Sequence, residues 1–398
     1  MIRGKGIRKR LKKLFVYFIK AIDKHKFFHN TPNELSSIQE QLKKGKQVEQ
    51  LIVYTGHLRL EKQPEIWNYR ISERFLRLYN RNCPQAFVLK IYNGKVSGYS
   101  SNWIIFPDES LSVELSREFG AYGGLKLENG RLISEKLRFE KKIILAGNVA
   151  VITTCGFDNF HHWNYDCLPR LHLLKQAINM EEIDYFVIHH SRQSFQLQSL
   201  NLFGISNKKI IQLDENQVLQ AENLYVPSLP SALGTVSPWV VNFLREFYLT
   251  GKAFKKFTAK KIYLSRKNVS SRKIINNTDF DLLLSKFGFV EIFPEAYTVQ
   301  EMGKIIEGAD IIISVHGSSL SNICFMKQGT VVIDILAPFH QDPYYWQISN
   351  ICGGNYIGFF AEGKHPKDDI DLVQAAVDDD LLLDLNSLRS LLEKLDYE

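Results

Sequence analysis

Residues 157–174, FDNFHHWNYDCLPRLHLL, gather Asn159, His161, His162, Trp163, Asp166 and Arg170 within a dozen positions. If residues 161–168 are helical, His162 and Asp166 fall at i and i+4 on one face, where an imidazole and a carboxylate can meet. Such a pair can serve as a general base and the group that orients it. A second reading is purely structural. Pro169 suits the first turn of a helix, and a helix opening near Leu168 needs a capping residue just before it, a role open to Asp166. A cap explains Asp166 but leaves two histidines, an asparagine and a tryptophan without a purpose, so the chemical reading covers more of the stretch.

A second stretch suits phosphate. In residues 309–326, ADIIISVHGSSLSNICFM, an apolar run breaks at His316-Gly317 and small residues open what reads as the next helix. Ile311 to Val315 fit a buried parallel strand. Gly317, Ser318 and Ser319 lack bulk, so a diphosphate could approach the free N–H groups and the dipole of a helix N-terminus. Arg266 and Arg272, in YLSRKNVSSRK, follow another expected strand, at the end where open α/β sheets bind ligands, and Arg forks onto phosphate oxygens well. Asp334 ends the strand VVIDI and suits a ribose hydroxyl or a loop cap. Asp-x-Asp triplets at 279–281, 369–371 and 378–380 are expected by chance in a chain with 43 acidic residues, and no metal site is assigned.

The elements that must position these residues alternate. Strands are expected at Leu51 to Tyr54 and, in antiparallel fashion, between Phe87 and Phe106, split by Asn93-Gly94 and Gly98. An α/β series then runs from Ile143 to Val226, with strands at 143–153, 185–190, 209–213 and 224–226 and helices at 172–178 and 195–203. Residues 227–240, with three prolines and a glycine, read as a linker. A second series follows: strands at 261–264, 289–293, 311–315 and 330–335, and helices at 280–287 and 299–307. At 398 residues the chain is long for one core, so two α/β domains facing a cleft are expected. The divisions are 1–30, 31–230, 241–365 and a helical segment at 366–398.

Charge is uneven along the chain. Residues 1–30 hold ten Lys or Arg against one acid, about +9, while the whole chain is +7. Ile7, Leu11, Leu14, Phe15, Phe18 and Ile22 share one face of a helical wheel, a basic amphipathic helix suited to an anionic membrane surface. The apolar run is too short to span a bilayer or to serve as a signal peptide. Basicity confined to the tail argues against nucleic acid as a partner. Five scattered cysteines without a CxxC pair fit a reduced, cytoplasmic setting, peripheral on the inner face of the membrane if the tail binds there.

Four elements together resemble glycosyltransferase family 61, in the family's order across roughly 140–340: Asn-x-x-His-Trp-x-x-Asp-x-Leu-Pro-Arg-Leu at 159–171, the Arg266/Arg272 segment, Gly288-Phe289 with Pro294-Glu295, and His316-Gly-x-x-Leu-x-Asn322. Bacterial members look like capsular or exopolysaccharide biosynthesis proteins, and eukaryotic relatives transfer xylose or N-acetylglucosamine. The resemblance implies a GT-B architecture of two Rossmann-like α/β domains, a nucleotide-sugar donor as substrate rather than cofactor, a saccharide or lipid-linked saccharide acceptor, and inversion at the anomeric carbon. It implies His162 and Asp166 as catalytic residues and Asn159, His161, Trp163 and Arg170 as the acceptor site. It also implies Arg266, Arg272, His316, Gly317, Ser318, Ser319, Asn322 and Asp334 around the nucleotide diphosphate. Departures are Ser318-Ser319 for the usual Ala-Gly, Asn277 for an acid, Met302 for Gln and Asp334 for Glu. His161-His162-x-x-x-Asp166 also matches the HHxxxD element of CoA-dependent acyltransferases, although Cys167 replaces the usual glycine and no DFGWG-like segment follows. A catalytically silent carbohydrate-binding protein on the same fold is the third reading.

Overall fold

In the computed structural model the described residues are 34–45, 47–98, 101–118, 127–128, 131–132, 141–189, 193–214, 217–230, 234–250, 257–365 and 379–397. The expected amphipathic helix at 1–30 lies outside them, as do residues 366–378 of the expected C-terminal helical segment.

Two sheets organise the chain. In the first, Gln217–Pro227, Lys141–Val151, Tyr185–His189 and Ile210–Leu213 lie side by side and parallel. Its other half is mostly antiparallel: Ala86–Tyr92 and Lys95–Ser97 both pair with Gln217–Pro227, and Val48–Tyr54 pairs with Ala86–Tyr92. Asn93, in the turn between the two paired strands, takes φ 56°, a conformation Asn tolerates better than most residues. Sequence periodicity finds only the end of the Gln217–Pro227 strand, because polar Gln220, Glu222 and Asn223 interrupt its apolar pattern.

The second sheet is parallel, in the order Val290–Ile292, Lys261–Leu264, Ile311–Val315, Val331–Leu336, Asn355–Phe360. Numbered within this half the order is 2-1-3-4-5, so the switch point falls between Lys261–Leu264 and Ile311–Val315. Glu65–Ile66 adds a sixth strand beside Asn355–Phe360. The stretch expected to belong wholly to the first domain therefore reaches into the second sheet. A two-residue strand covering a sheet edge leaves no periodic trace in sequence.

Alternation within the strands explains how the halves join. Val149, Val151 and Val187 face one core, while Ala150, Ile152, Phe186 and Ile188 face another. In the second sheet Ile313, Val315, Ile333 and Ile335 face an outer core closed by the Leu385–Tyr397 helix, whereas Ile312, Val332 and Leu336 turn inward. The inward sets of both sheets belong to one continuous core, filled by the Pro169–Ala177, Pro238–Leu249, Val299–Gly308 and Tyr344–Ile351 helices. The two α/β series thus share a packed interior, and space for a ligand is left where polar segments meet.

Candidate functional site

The two motif stretches touch each other. Phe160–His162 forms a helical turn that Asn159 caps by accepting from the His161 N–H at 2.8 Å. Trp163–Cys167 then widens into a π turn, in which Leu168 N–H donates to Trp163 C=O. Pro169 supplies a reason: it has no N–H for the carbonyl four residues back, so the regular ladder cannot continue through it. In this segment His162 Nδ1 lies 2.7 Å from Asp166 Oδ2. The Pro169–Ala177 helix has no side-chain cap, so the Asp166 carboxylate orients an imidazole rather than closing that helix. Burial alone would lower the His162 pKa, but the Asp166 hydrogen bond and charge, with Asp342 and Asp158 behind them, more than offset it, and the net shift is upward.

His161 points elsewhere. It is buried, its Nδ1 is 2.8 Å from Ser321 Oγ, and its ring stacks on Tyr165 with 4.7 Å between centroids. Burial holds it neutral, with its pKa down to about 3. Tyr165 donates to Ser321 C=O. From the other side, Arg245 donates to the carbonyls of Cys324 and Met326. The Ser318–Phe325 segment is thereby clamped between both halves, and it winds as a 3-10 helix, tighter than the expected α-helix. Within it, Asn322 Nδ2 donates to Ser319 C=O at 2.8 Å.

Beside this segment lies a cavity of about 640 Å³. Arg266, Ser318, Ser319 and Asn322 line it, opposite Phe160, Gln193, Phe195 and Gln198, with Glu295, Tyr297 and Met302 completing the wall. Two of its polar atoms, Ser319 Oγ and Asn322 Oδ1, are buried without a hydrogen-bond partner. Gly317 makes room at the edge: a Cβ there would overlap the Arg266 guanidinium. Its φ of 169° is extended backbone, so the glycine serves close approach rather than an unusual turn. His162 and Asp166 are not among the lining residues; they stand on the neighbouring face, toward Asp342 and Tyr344.

Other expected site residues have different partners. Trp163 is fully buried and donates to Ser199 Oγ. Arg170, equally buried, donates to Thr153 and Pro227 carbonyls at the ends of two adjacent strands. Neither offers a face to an acceptor, and both hold the scaffold under the His162 segment. Asn159 is spent as a cap. Asp334 is also fully buried: its Oδ2 takes His316 Nδ1 at 2.9 Å and the Tyr356 hydroxyl at 2.9 Å, which positions His316, while its Oδ1 is buried without a hydrogen-bond partner. Arg272 donates to His316 C=O at 2.6 Å and lies 3.1 Å from His340 Nδ1; it is absent from the larger cavity wall. The helix over Ser194–Leu202, capped by Gln193, is close to the one expected at 195–203, but a place for Gln193 and Gln198 in the cavity wall carried no sequence signal, nor did the Asn268 to Glu295 bond at 2.6 Å beyond the Pro294-Glu295 resemblance.

Among the described residues no group of three or more His, Cys, Asp or Glu is placed to hold a metal ion, and no helix is long and apolar enough to cross a membrane. A cavity at the switch point of a parallel sheet is where open α/β proteins commonly bind ligands. Residues 160–333 match the model of the family described as Glycosyltransferase 61, and this stretch of the chain is a glycosyltransferase family 61 domain. No curated protein matches the chain.

Proposed function

We propose that the protein is an inverting glycosyltransferase that moves a sugar from a nucleotide-sugar donor to a saccharide or lipid-linked saccharide acceptor in cell-surface polysaccharide synthesis. The observation that carries this reading is the pair of orphaned polar atoms, Ser319 Oγ and Asn322 Oδ1, in the wall of a nucleotide-sized cavity that also holds Arg266. Buried polar atoms are rarely left unpaired, and a ligand would pair them. Two α/β halves bounding that cavity are consistent with a GT-B arrangement.

The donor occupies the cavity with its diphosphate toward Arg266 and Gly317 to Ser319. In a direct displacement, the acceptor hydroxyl oxygen bonds to the anomeric carbon as the bond to the diphosphate oxygen breaks. The nucleoside diphosphate leaves with that electron pair, and Arg266 offsets its growing charge. The acceptor proton passes to His162; with Nδ1 engaged by Asp166, Nε2 is the nitrogen that takes it. Fixed positive charge fills the role a metal has in other sites. The basic tail, residues 1–30, would bring the enzyme to the anionic inner face of the membrane, where a lipid-linked acceptor lies.

Incubation with a panel of nucleotide sugars and oligosaccharide acceptors tests the reading. One nucleotide sugar should release its nucleoside diphosphate in step with acceptor elongation. Failure of every donor to be turned over, with CoA thioesters consumed instead, would replace the reading by the acyltransferase one.

A further inference from the structure

Asn159, Trp163 and Arg170 are spent on the scaffold, which leaves the acceptor side of His162 to other residues. The segment 338–344, PFHQDPY, supplies them. Tyr344 pins it beside the base: its ring centroid lies 4.8 Å from that of His161, and its hydroxyl accepts from Gly234 N–H at 3.0 Å. Two residues earlier, Asp342 Oδ1 accepts from the Tyr344 N–H at 3.3 Å, and Oδ2 faces Arg74 Nη2 at 3.6 Å. Arg74 comes from the short helix Glu73–Arg77, which the buried Phe75 anchors with its ring 5.5 Å from that of Trp346.

At 3.6 Å the ion pair is too long for a hydrogen bond. Among the described residues nothing else bonds to Asp342 Oδ2 or to the Arg74 guanidinium, and both side chains are partly exposed. One oxygen is left to accept and one guanidinium to donate. Gln341, the residue before Asp342, is 2% exposed; its Nε2 donates to Pro338 C=O, but its Oε1 has no hydrogen-bond partner. Buried oxygens are rarely left unpaired. The Asp342 charge is felt at His162, whose pKa it helps to raise.

We propose that Asp342 and Arg74 form the clamp that holds the acceptor sugar at His162, reading two neighbouring hydroxyls of an uncharged sugar. One hydroxyl donates to the carboxylate, and the oxygen of the other accepts from the guanidinium. The inference rests on the glycosyltransferase reading above. Charge balance decides the ligand class: His162 has Asp166 and Arg74 has Asp342, so no cation is spare for a carboxylate on the sugar. Asp158, the remaining acid felt at His162, is exposed to solvent and would also repel an anion.

The experiment is steady-state transfer to a neutral oligosaccharide, and to the same oligosaccharide oxidised to a uronic acid at its terminal sugar, by wild type, Asp342→Asn and Arg74→Met. Wild type should use the neutral acceptor about tenfold better or more, and both substitutions should raise its KM by about tenfold with kcat moved much less. The choice of acceptor should shift in opposite directions. Asp342→Asn leaves Arg74 uncompensated and favours the acidic acceptor by about tenfold relative to the neutral one, whereas Arg74→Met leaves Asp342 uncompensated and disfavours it. Melting temperature and nucleoside diphosphate affinity should stay near wild type, since the pair is partly exposed and lines no part of the larger cavity. Shifts in one direction, an unchanged KM in both variants, or a wild type that prefers the acidic acceptor would overturn the clamp and leave the glycosyltransferase reading standing. No transfer from any nucleotide sugar to any oligosaccharide would overturn both.

Discussion

His162 Nδ1 and Asp166 Oδ2 are 2.7 Å apart on successive turns of a segment whose neighbouring residue, His161, bonds through its own Nδ1 to Ser321 in the other half of the molecule. Adjacent histidines thus take opposite tasks: one ties the halves together in its neutral form, and the other is partly exposed and paired with a carboxylate.

The pair should matter to turnover and not to donor binding. His162→Ala is expected to reduce transfer by about two to four orders of magnitude, and Asp166→Asn by less, with nucleotide affinity unchanged. The double variant should be no worse than His162→Ala, because the two residues act as one unit. Steady-state kinetics with a nucleotide titration checks this; undiminished transfer in His162→Ala would remove the pair from the mechanism.

The upward shift at His162 fixes the sign of two pH effects. As a base it works unprotonated, so kcat/KM should rise with pH through a value above the ordinary 6.5. Asp166→Asn removes the main upward influence, and the acid limb should move to lower pH. Stability runs the other way. A histidine whose folded pKa is raised contributes fully below its unfolded pKa, and the contribution is lost as pH rises through the folded one. A pH series of melting curves on wild type and His162→Ala should therefore converge above that point.

Gly317→Ala should leave the fold intact and weaken nucleotide binding by about tenfold, because the far end of the Arg266 side chain can move away from the new Cβ but then leaves the diphosphate. In an Arg266→Ala background the same change should have little further effect. An equal loss in both backgrounds would show that Gly317 acts without Arg266.

Trp163 was expected at the acceptor, and the structure assigns it to the core. Trp163→Ala should cost about 3–5 kcal/mol in chemical denaturation, while the acceptor KM of the folded fraction is unchanged. A stable variant with a raised acceptor KM would return Trp163 to the acceptor site.

Which features could be read from the sequence depends on range. The i,i+4 spacing of His162 and Asp166 and the apolar run Ile311–Val315 are local patterns, so both were legible. Arg266 lying on Gly317 was foreshadowed only by their positions after two strands. The burial of Trp163 and Arg170 was not legible, since their partners, Ser199, Thr153 and Pro227, lie up to 57 residues away. His316 with Asp334 shows the same limit: two residues both assigned to a ligand bond to each other, through Nδ1 and Oδ2, once the fold brings them together. The Ser318–Phe325 segment takes hydrogen bonds from Tyr165 and Arg245, long-range contacts that no local propensity encodes.

Thermal-shift titration with UDP, GDP, CDP, CMP and CoA, on wild type and Arg266→Glu, tests the donor site most directly, because a ligand that binds only the native state raises its melting temperature. At least one nucleoside diphosphate should stabilise wild type, CoA should not, and Arg266→Glu should melt near wild type yet lose the nucleotide response. Stabilisation by CoA alone, or an unchanged nucleotide response in Arg266→Glu, would contradict the account.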